Sequence, residues 1–203
     1  LNKKGEKEMK SVKKLLAMLL ALAMVLTSLT VTALGVTWTS ISGQDKITGL
    51  QSGKTYYFKL TGSVYTGSGK GAITIPANAE VHIDIAGQRF YTNASGRVHI
   101  DNSGTLIITN SEGVDAGEII GNSNATYPVI DNKGTLSITD CLIAQGSGGK
   151  GPHNSTAAST TGIGAIRNSG ELTLDNCIVC SKIVNTGTIV KNDEEKLNKA
   201  VEE

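Results

Sequence analysis

The chain of 203 residues contains few of the residues that fill a thick globular core. Aromatic residues make up 4% of it, and it has only 3 prolines and 3 cysteines. This scarcity favours a narrow core of aliphatic side chains. A net charge of +1, with no basic run beyond residue 35, argues against a nucleic-acid partner, because phosphate binding needs clustered Lys and Arg. A single long apolar run, near the amino terminus, leaves no span for membrane insertion in the rest of the chain.

The amino terminus has the pattern of a secretory signal peptide. Three lysines precede an uninterrupted apolar run, Leu15–Leu26, and small residues follow. We expect residues 1–35 to be the signal peptide, cleaved after Ala33 or Gly35, and residues 1–8 to be a mis-set start of translation. An uncleaved anchor is the alternative, but the run is shorter than the roughly 20 residues that span a bilayer. The predicted location is secreted, either extracellular or at the cell surface.

Glycine is abundant, with 24 residues, and much of it belongs to a repeated phrase. The frame apolar-x-Asn-x-Gly-x-apolar-x-apolar occurs in Ile100–Ile108, Ile130–Ile138 and Ile166–Leu174, and in shorter form in Val184–Val190. It describes a strand end, a tight bend and a new strand with one buried face. Such repeats predict a solenoid, whose units bury their apolar faces by stacking. We place the repeats in residues 71–190, within one domain.

The bends are expected to be structural. Asn tolerates left-handed backbone angles and Gly adopts a positive φ freely, so both suit a tight bend. Stacked asparagines would also form a ladder of side-chain amides between coils. The ladder positions are Asn102, Gly104, Asn132, Gly134, Asn168, Gly170, Asn185 and Gly187.

The spacing of the bends predicts a short basic coil with insertions. The intervals between successive bend asparagines are unequal, and the last, from Asn168 to Asn185, is the shortest and defines the basic coil. The longer intervals then contain either a loop or an extra coil. The stretch 145–164, rich in Gly, Ser and Thr, is the candidate loop. The aromatic-rich segment 36–70 is expected to cap the first coil, and residues 191–203 are expected to form a polar tail or a short helix.

Two of the repeats resemble a known fold family. Asp131–Cys141 and Arg167–Cys177 are similar to the repeats of right-handed parallel β-helix proteins, and more narrowly of secreted, adhesin-like bacterial proteins of pectin-lyase-like fold. The stretch Ile73–Gln88 is similar to the entry rungs of that group. The resemblance implies an all-β fold: a single-stranded right-handed parallel β-helix with an N-terminal cap. The adjacent aspartates of polygalacturonases and the acidic calcium cluster of pectate lyases are absent.

One set of side chains could hold a metal ion. The letters Val-His-Ile-Asp occur twice, beginning at Val81 and at Val98, and their offset equals the basic coil, which would stack their His and Asp side chains on one outer face. Side chains on a flat sheet point in parallel and do not converge on an ion, which favours ordinary surface positions instead. We therefore predict no metal and no cofactor. The residues concerned are His82, Asp84, His99 and Asp101.

The cysteines follow the repeat. Cys141 and Cys177 occupy the same repeat position and are expected to point inward. They lie within disulfide range if residues 145–164 loop out, and too far apart if an extra coil intervenes. Cys180 completes a Cys-x-x-Cys with Cys177, but without a second pair this does not predict zinc.

These observations predict a secreted, non-enzymatic β-helix protein that acts in surface adhesion or carbohydrate binding. The expected partner is a glycan or another cell-surface ligand, and no catalytic residue stands out. A polysaccharide lyase or glycoside hydrolase of pectin-lyase-like fold is the alternative, because one fold hosts many functions. A structural fragment of a larger adhesin is a second alternative.

Overall fold

The structure is a computed structural model, and it describes residues 35–42, 47–66, 73–92, 100–114, 116–122, 127–146, 165–179, 182–192 and 201–202. The apolar run and most of the predicted signal peptide lie outside these residues. The described part of the chain contains strands and no helix. It therefore holds no helix that is long and apolar enough to cross a membrane.

The strands lie in one compact unit, Trp38–Glu203. In chain order they are β1 (Thr39–Ile41), β2 (Thr55–Leu60), β3 (Val64–Thr66), β4 (Ile73–Ile75), β5 (Glu80–Asp84), β6 (Arg89–Thr92), β7 (Ile100–Asn102), β8 (Thr105–Thr109), β9 (Glu118–Asn122), β10 (Ile130–Asn132), β11 (Thr135–Thr139), β12 (Leu142–Gly146), β13 (Ile166–Asn168), β14 (Glu171–Asp175), β15 (Ile178–Val179), β16 (Ile183–Asn185), β17 (Thr188–Lys191) and β18 (Val201–Glu202).

The strands form three sheets in which every pairing is parallel. Sheet A has the order β1-β2-β5-β8-β11-β14-β17, sheet B the order β15-β12-β9-β6-β3, and sheet C the order β18-β16-β13-β10-β7-β4. From β2 to β17 the chain visits A, then B, then C, and returns to A one position further along. This topology is a parallel β-helix, so the predicted all-β solenoid is confirmed.

The core follows from strict alternation within the strands. Strands β8, β11 and β14 have the sequences TLIIT, TLSIT and ELTLD, and in each the second and fourth residues are buried. Register stacks these residues into columns through the solenoid. One column, which is at most 1% exposed, consists of Val81, Leu106, Leu136 and Leu172. Burial of each such side chain contributes about 1.5–3 kcal/mol.

Most coils are longer than the basic coil expected from the sequence. Tyr56 pairs with Val81, and Val81 with Leu106, so the steps from β2 to β5 and from β5 to β8 have equal length, and both exceed the expected one. The step from Leu172 to Ile189 is shorter and has the expected length. The period expected from the sequence is that of this coil, which has the shortest connections.

The asparagines of the repeated bend form a continuous ladder inside the solenoid. The Nδ2 group of Asn102 donates to Oδ1 of Asn132 at 2.7 Å, Asn132 donates to Asn168 at 2.6 Å, and Asn168 donates to Asn185 at 2.7 Å. The first three side chains are fully buried. Each Nδ2 group of these three also donates to a backbone carbonyl of the next coil, for example Asn132 to Glu171 at 2.9 Å. The ladder therefore satisfies buried amides and ties neighbouring coils together.

The bend glycines are required for a different reason from the one expected. None of the ladder asparagines or glycines is among the residues with positive φ, which include Asn78, Asp140 and Asn176. A Cβ on Gly134 would instead lie 2.1 Å from the carbonyl oxygen of Gly104. The backbones of successive bends pack too closely for any side chain. The expectation of left-handed angles at these bends was wrong, and close backbone contact replaces it.

Cys141 and Cys177 face each other on adjacent coils. Thr139 pairs with Asp175 and Leu142 with Ile178, so no extra coil intervenes. Both cysteines are buried free thiols. The Sγ of Cys141 donates to the carbonyl of Thr139 at 3.2 Å. Burial raises the pKa of both thiols, which keeps them protonated. Cys180 lies outside the described residues.

The sheets extend beyond the boundaries expected for the repeats. Within the predicted cap, 36–70, β1 and β2 belong to sheet A and β3 to sheet B. The first coils lack the Asn-x-Gly frame. Their bends are of another kind, with positive φ at Gly53 and Asn78. At the other end, Val201–Glu202 pairs with β16 as a strand, where a tail or helix was expected. Residues 193–200 lie outside the described residues.

Candidate functional site

The outer face of sheet A carries a row of aromatic side chains at its amino-terminal end. Tyr56 and Phe58 point into the solenoid, so Tyr57 between them points outward. Tyr57 pairs in register with His82, and Trp38 packs against Tyr57 from the preceding rung. We name Trp38, Tyr57 and His82 the aromatic row.

The rings of the aromatic row are in contact with one another. Tyr57 and His82 stack with ring centroids 4.4 Å apart and planes 22° apart. Trp38 lies 5.6 Å from Tyr57 with its plane turned by 70°, an edge-to-face contact. Trp38 is nevertheless 39% exposed, a high value for the largest apolar side chain. Mutual packing thus holds the rings in fixed positions while leaving one of them open to solvent.

The ionisable groups beside the aromatic row lie in close pairs. The Nε2 atom of His82 lies 2.6 Å from Oε1 of Glu80. The Nζ atom of Lys59 lies 3.1 Å from Oδ2 of Asp84, whose side chain is only 8% exposed. Desolvation opposes ionisation of Asp84, but hydrogen bonds from Ser111, Lys59 and the Ala86 amide outweigh it and lower its pKa. Asp84 is therefore an ionised group at the corner of the coil. It does not face solvent, although the sequence predicted that it would.

Beyond the rings, sheet A presents mainly hydroxyl groups. The column of the aromatic row continues through Ile107, Ser137 and Thr173 on the following rungs. Flanking columns carry threonines such as Thr105 and Thr135, which pair with each other. The same face thus combines an apolar ring surface with regularly spaced hydrogen-bonding groups.

Sheet B offers a less accessible face. Ile119 and Ile143 belong to the inward core, so the neighbouring Ile120 and Ala144 point outward. These outward side chains are nonetheless only 4% and 2% exposed. The outer face of sheet B is therefore not an open ligand surface at these positions.

The outer face of sheet C carries a compact charged cluster. Asp101, Asp131 and Arg167 occupy successive rungs of one column. Arg167 holds Asp131 with two hydrogen bonds, Nε to Oδ1 at 2.8 Å and Nη2 to Oδ2 at 2.5 Å. Lys133 reaches Asp101 at 2.8 Å and Asp131 at 3.6 Å. The two carboxylates are thus matched by two cations.

The charges of this cluster favour a structural role over glycoside hydrolysis. Two neighbouring carboxylates are the minimum set of a retaining glycosidase, in which one must be protonated to act as an acid. The Arg167 guanidinium lowers the pKa of Asp131, against the opposing effect of burial. Asp131 is therefore held ionised. It links adjacent coils and cannot serve as a proton donor near neutral pH.

Asp84 and Asp101 do not stack on adjacent coils, as the candidate metal site would require. Asp84 pairs with Thr109 in sheet A, whereas Asp101 pairs with Asp131 in sheet C. The coil from β5 to β8 is longer than the offset between the two Val-His-Ile-Asp motifs. Asp101 therefore lies in another sheet and not above Asp84. His99 lies outside the described residues. Within the described ranges, no three His, Cys, Asp or Glu side chains are grouped to hold a metal ion.

The aromatic row was not predicted from the sequence, because Trp38 and Tyr57 were assigned to a cap and His82 was grouped with the candidate metal ligands. The signal was present in the alternation of Tyr56, Tyr57 and Phe58, which requires the middle ring to point outward. The pairing of Tyr57 with His82 could not be found without the true length of the first coils. The predicted loop is described only at Gln145 and Gly146, which end β12; its remainder, 147–164, lies outside the described residues.

Comparison with known proteins finds no match for this chain. No family model, no curated protein and no solved structure matches it.

Proposed function

We propose that this chain is a secreted, non-enzymatic carbohydrate-binding protein. Its ligand is a glycan, bound on the outer face of sheet A through the aromatic row. The parallel β-helix acts as a rigid support that fixes the spacing of the contact residues. Surface adhesion through such a glycan is the corresponding biological role.

The observation that carries the proposal is the exposed, preorganised ring set of Trp38, Tyr57 and His82. Aromatic rings offer a large apolar surface with little conformational entropy to lose, and Tyr and Trp add a polar group. Sugar rings have apolar C–H patches beside hydroxyl groups, so they match a surface that combines rings and hydroxyls. The single tryptophan is 39% exposed and in contact with Tyr57, which stacks on His82, so the rings form a contiguous patch and not a scattered surface residue.

Three further features support the proposal. The amino-terminal sequence has the pattern of a signal peptide, which would deliver the chain to a compartment where glycans occur. The resemblance of the repeats to adhesin-like β-helix proteins points in the same direction. The charged cluster of sheet C, in which Asp131 is paired with Arg167, favours binding over hydrolysis.

A glycan array with the purified protein tests the proposal. We expect retention on a limited set of glycans and loss of most of this signal in the double variant Trp38→Ala/Tyr57→Ala. The matched control is Tyr127→Ala, which removes an aromatic side chain that is 42% exposed elsewhere on the surface. All three proteins should show the same melting behaviour before they are compared.

Two results would contradict the proposal. Equal glycan binding by the double variant and the control would move the site away from the aromatic row. Release of shorter products from the bound polysaccharides would support the alternative function, a lyase or hydrolase of the same fold.

A further inference from the structure

We infer that the ligand is an uncharged polysaccharide that lies along the solenoid axis, across the strands of sheet A. The inference rests on the proposed function and adds the chemical class and the orientation of the ligand. It is carried by the distribution of charge on sheet A and by the direction of the outward column.

The outward basic side chains of strands β2 and β5, Lys59 and His82, already have carboxylate partners and are not free to attract an anionic polymer. The Lys59 ammonium is held by the Asp84 carboxylate at 3.1 Å, and the His82 ring by Glu80 at 2.6 Å. A polyuronate or sulfated glycan would have to displace these internal partners. Charged ligands are instead recognised by unpaired Arg or Lys groups that supply new ion pairs.

Strand β14, one strand before the other end of sheet A, carries acidic groups on the same face. Strand β14 directs Glu171 and Asp175 outward, on either side of Thr173. Neither carboxylate has an ion-pair partner in the part of the chain that the structure describes. A polyanion extending from the aromatic row along the sheet would approach both carboxylates, and such like-charge contacts are unfavourable. An uncharged glycan has no such penalty.

The column that begins with the aromatic row gives the orientation. It runs perpendicular to the strands, with Tyr57, His82, Ile107, Ser137 and Thr173 on successive rungs. Rungs are about 4.8 Å apart, so this column repeats on the length scale of single sugar rings. A polysaccharide along the axis would therefore meet the rings first and the hydroxyl groups of Ser137 and Thr173 further on.

Binding of soluble polysaccharides distinguishes the classes. The ligands are neutral glucans and N-acetylated chitin oligomers, polygalacturonate as the polyanion, and chitosan as the polycation. We expect affinity for a neutral polymer that changes by less than about twofold between about 50 mM and about 500 mM salt, because screening affects only charged contacts. Preference for polygalacturonate or for chitosan, or a steep dependence on salt, would overturn the inference.

The variant Glu171→Gln/Asp175→Asn checks the role of the carboxylates. Neutral-polymer affinity should stay within about twofold of the parent, since these groups act by excluding anions. A loss of about tenfold or more would show that they contact the ligand directly, as expected for a cationic glycan, and would contradict an uncharged one.

A blocking substitution tests the orientation. Ser137→Arg places a long side chain on the column, three rungs from Tyr57. Long oligosaccharides should bind about tenfold more weakly to this variant, while short ones that fill only the aromatic row should be unaffected. The matched control is Thr74→Arg, an exposed outward position on sheet C.

These outcomes separate the two claims. If glycan binding does not depend on Trp38 and Tyr57, the proposed function itself fails. If binding depends on them but Ser137→Arg leaves long oligosaccharides unaffected, only the orientation along the axis is wrong.

Discussion

Substitution of Asn132 by Leu is expected to destabilise the fold more than any substitution at an outward position of the same coil. Asn132 is fully buried and lies in the middle of the amide ladder. Its Nδ2 group donates to Asn168 Oδ1 at 2.6 Å and to the Glu171 carbonyl at 2.9 Å, and its Oδ1 accepts from Asn102 at 2.7 Å. Leucine can make none of these bonds.

The magnitude follows from the groups that lose a partner. Asn168 Oδ1 and the Glu171 carbonyl each lose a donor, and an unsatisfied buried group costs about 1–3 kcal/mol. Asn102 retains the Thr135 carbonyl at 3.0 Å as an acceptor. Burial of the leucine side chain offsets part of the loss, about 1.5–2 kcal/mol. The expected net change in unfolding free energy is therefore about 2 kcal/mol, within a range of about 0–4 kcal/mol.

Urea unfolding of three variants measures this difference. Asn185→Leu, at the end of the ladder, disturbs only one neighbouring asparagine and should cost about 1 kcal/mol. Ser137→Ala, on the outer face, should stay within about 0.5 kcal/mol of the parent. If Asn132→Leu and Asn185→Leu had the same unfolding midpoint, the ladder would not contribute in the way described here.

Three other predictions concern the bends, the thiols and the charged cluster. Gly134→Ala should cost about 3 kcal/mol or prevent folding, because the added Cβ would lie 2.1 Å from a backbone oxygen; unchanged thermal stability would contradict this close contact. Cys141 and Cys177 should resist alkylation in the native protein, and the free energy of unfolding should fall as the pH rises above their ordinary pKa of 9.0, because the unfolded state releases these protons first. In urea unfolding at successive pH values, the variant Cys141→Ala/Cys177→Ala should show a smaller dependence on pH. Asp131 has a lowered pKa, so its stabilising contribution should be lost as the pH falls below 3.8, and Asp131→Asn should flatten this acid dependence.

The sequence led directly to those features that depend on local pattern. Alternation in TLIIT and TLSIT gave the buried faces of β8 and β11, and the stacked Asn-x-Gly frames gave the amide ladder between coils. The equivalence of Cys141 and Cys177 followed from the same frames. Each of these needs only the identity of residues within one repeat, which is why spacing alone could identify them.

Features that depend on coil length could not be obtained in this way. The first coils lack the Asn-x-Gly frame, so the longer step from Tyr57 to His82 was hidden, and with it the aromatic row. The outward position expected for Asp84 failed because the strand ends there, and the backbone amides of Ala86 and Ser111 turn toward its carboxylate at 2.9 and 3.0 Å. The contact with Ser111 joins residues that are distant in sequence, so the pattern around Asp84 alone could not indicate it.

The fluorescence of the single tryptophan tests the central claim most directly, because Trp38 is the exposed member of the aromatic row. Titration of the protein with the neutral glycan that it retains should shift the emission of Trp38 to shorter wavelength and protect it from acrylamide quenching. The midpoint of this change should equal the dissociation constant measured by calorimetry. Binding detected by calorimetry without any change in Trp38 emission or quenching would place the ligand elsewhere and contradict a glycan site on sheet A.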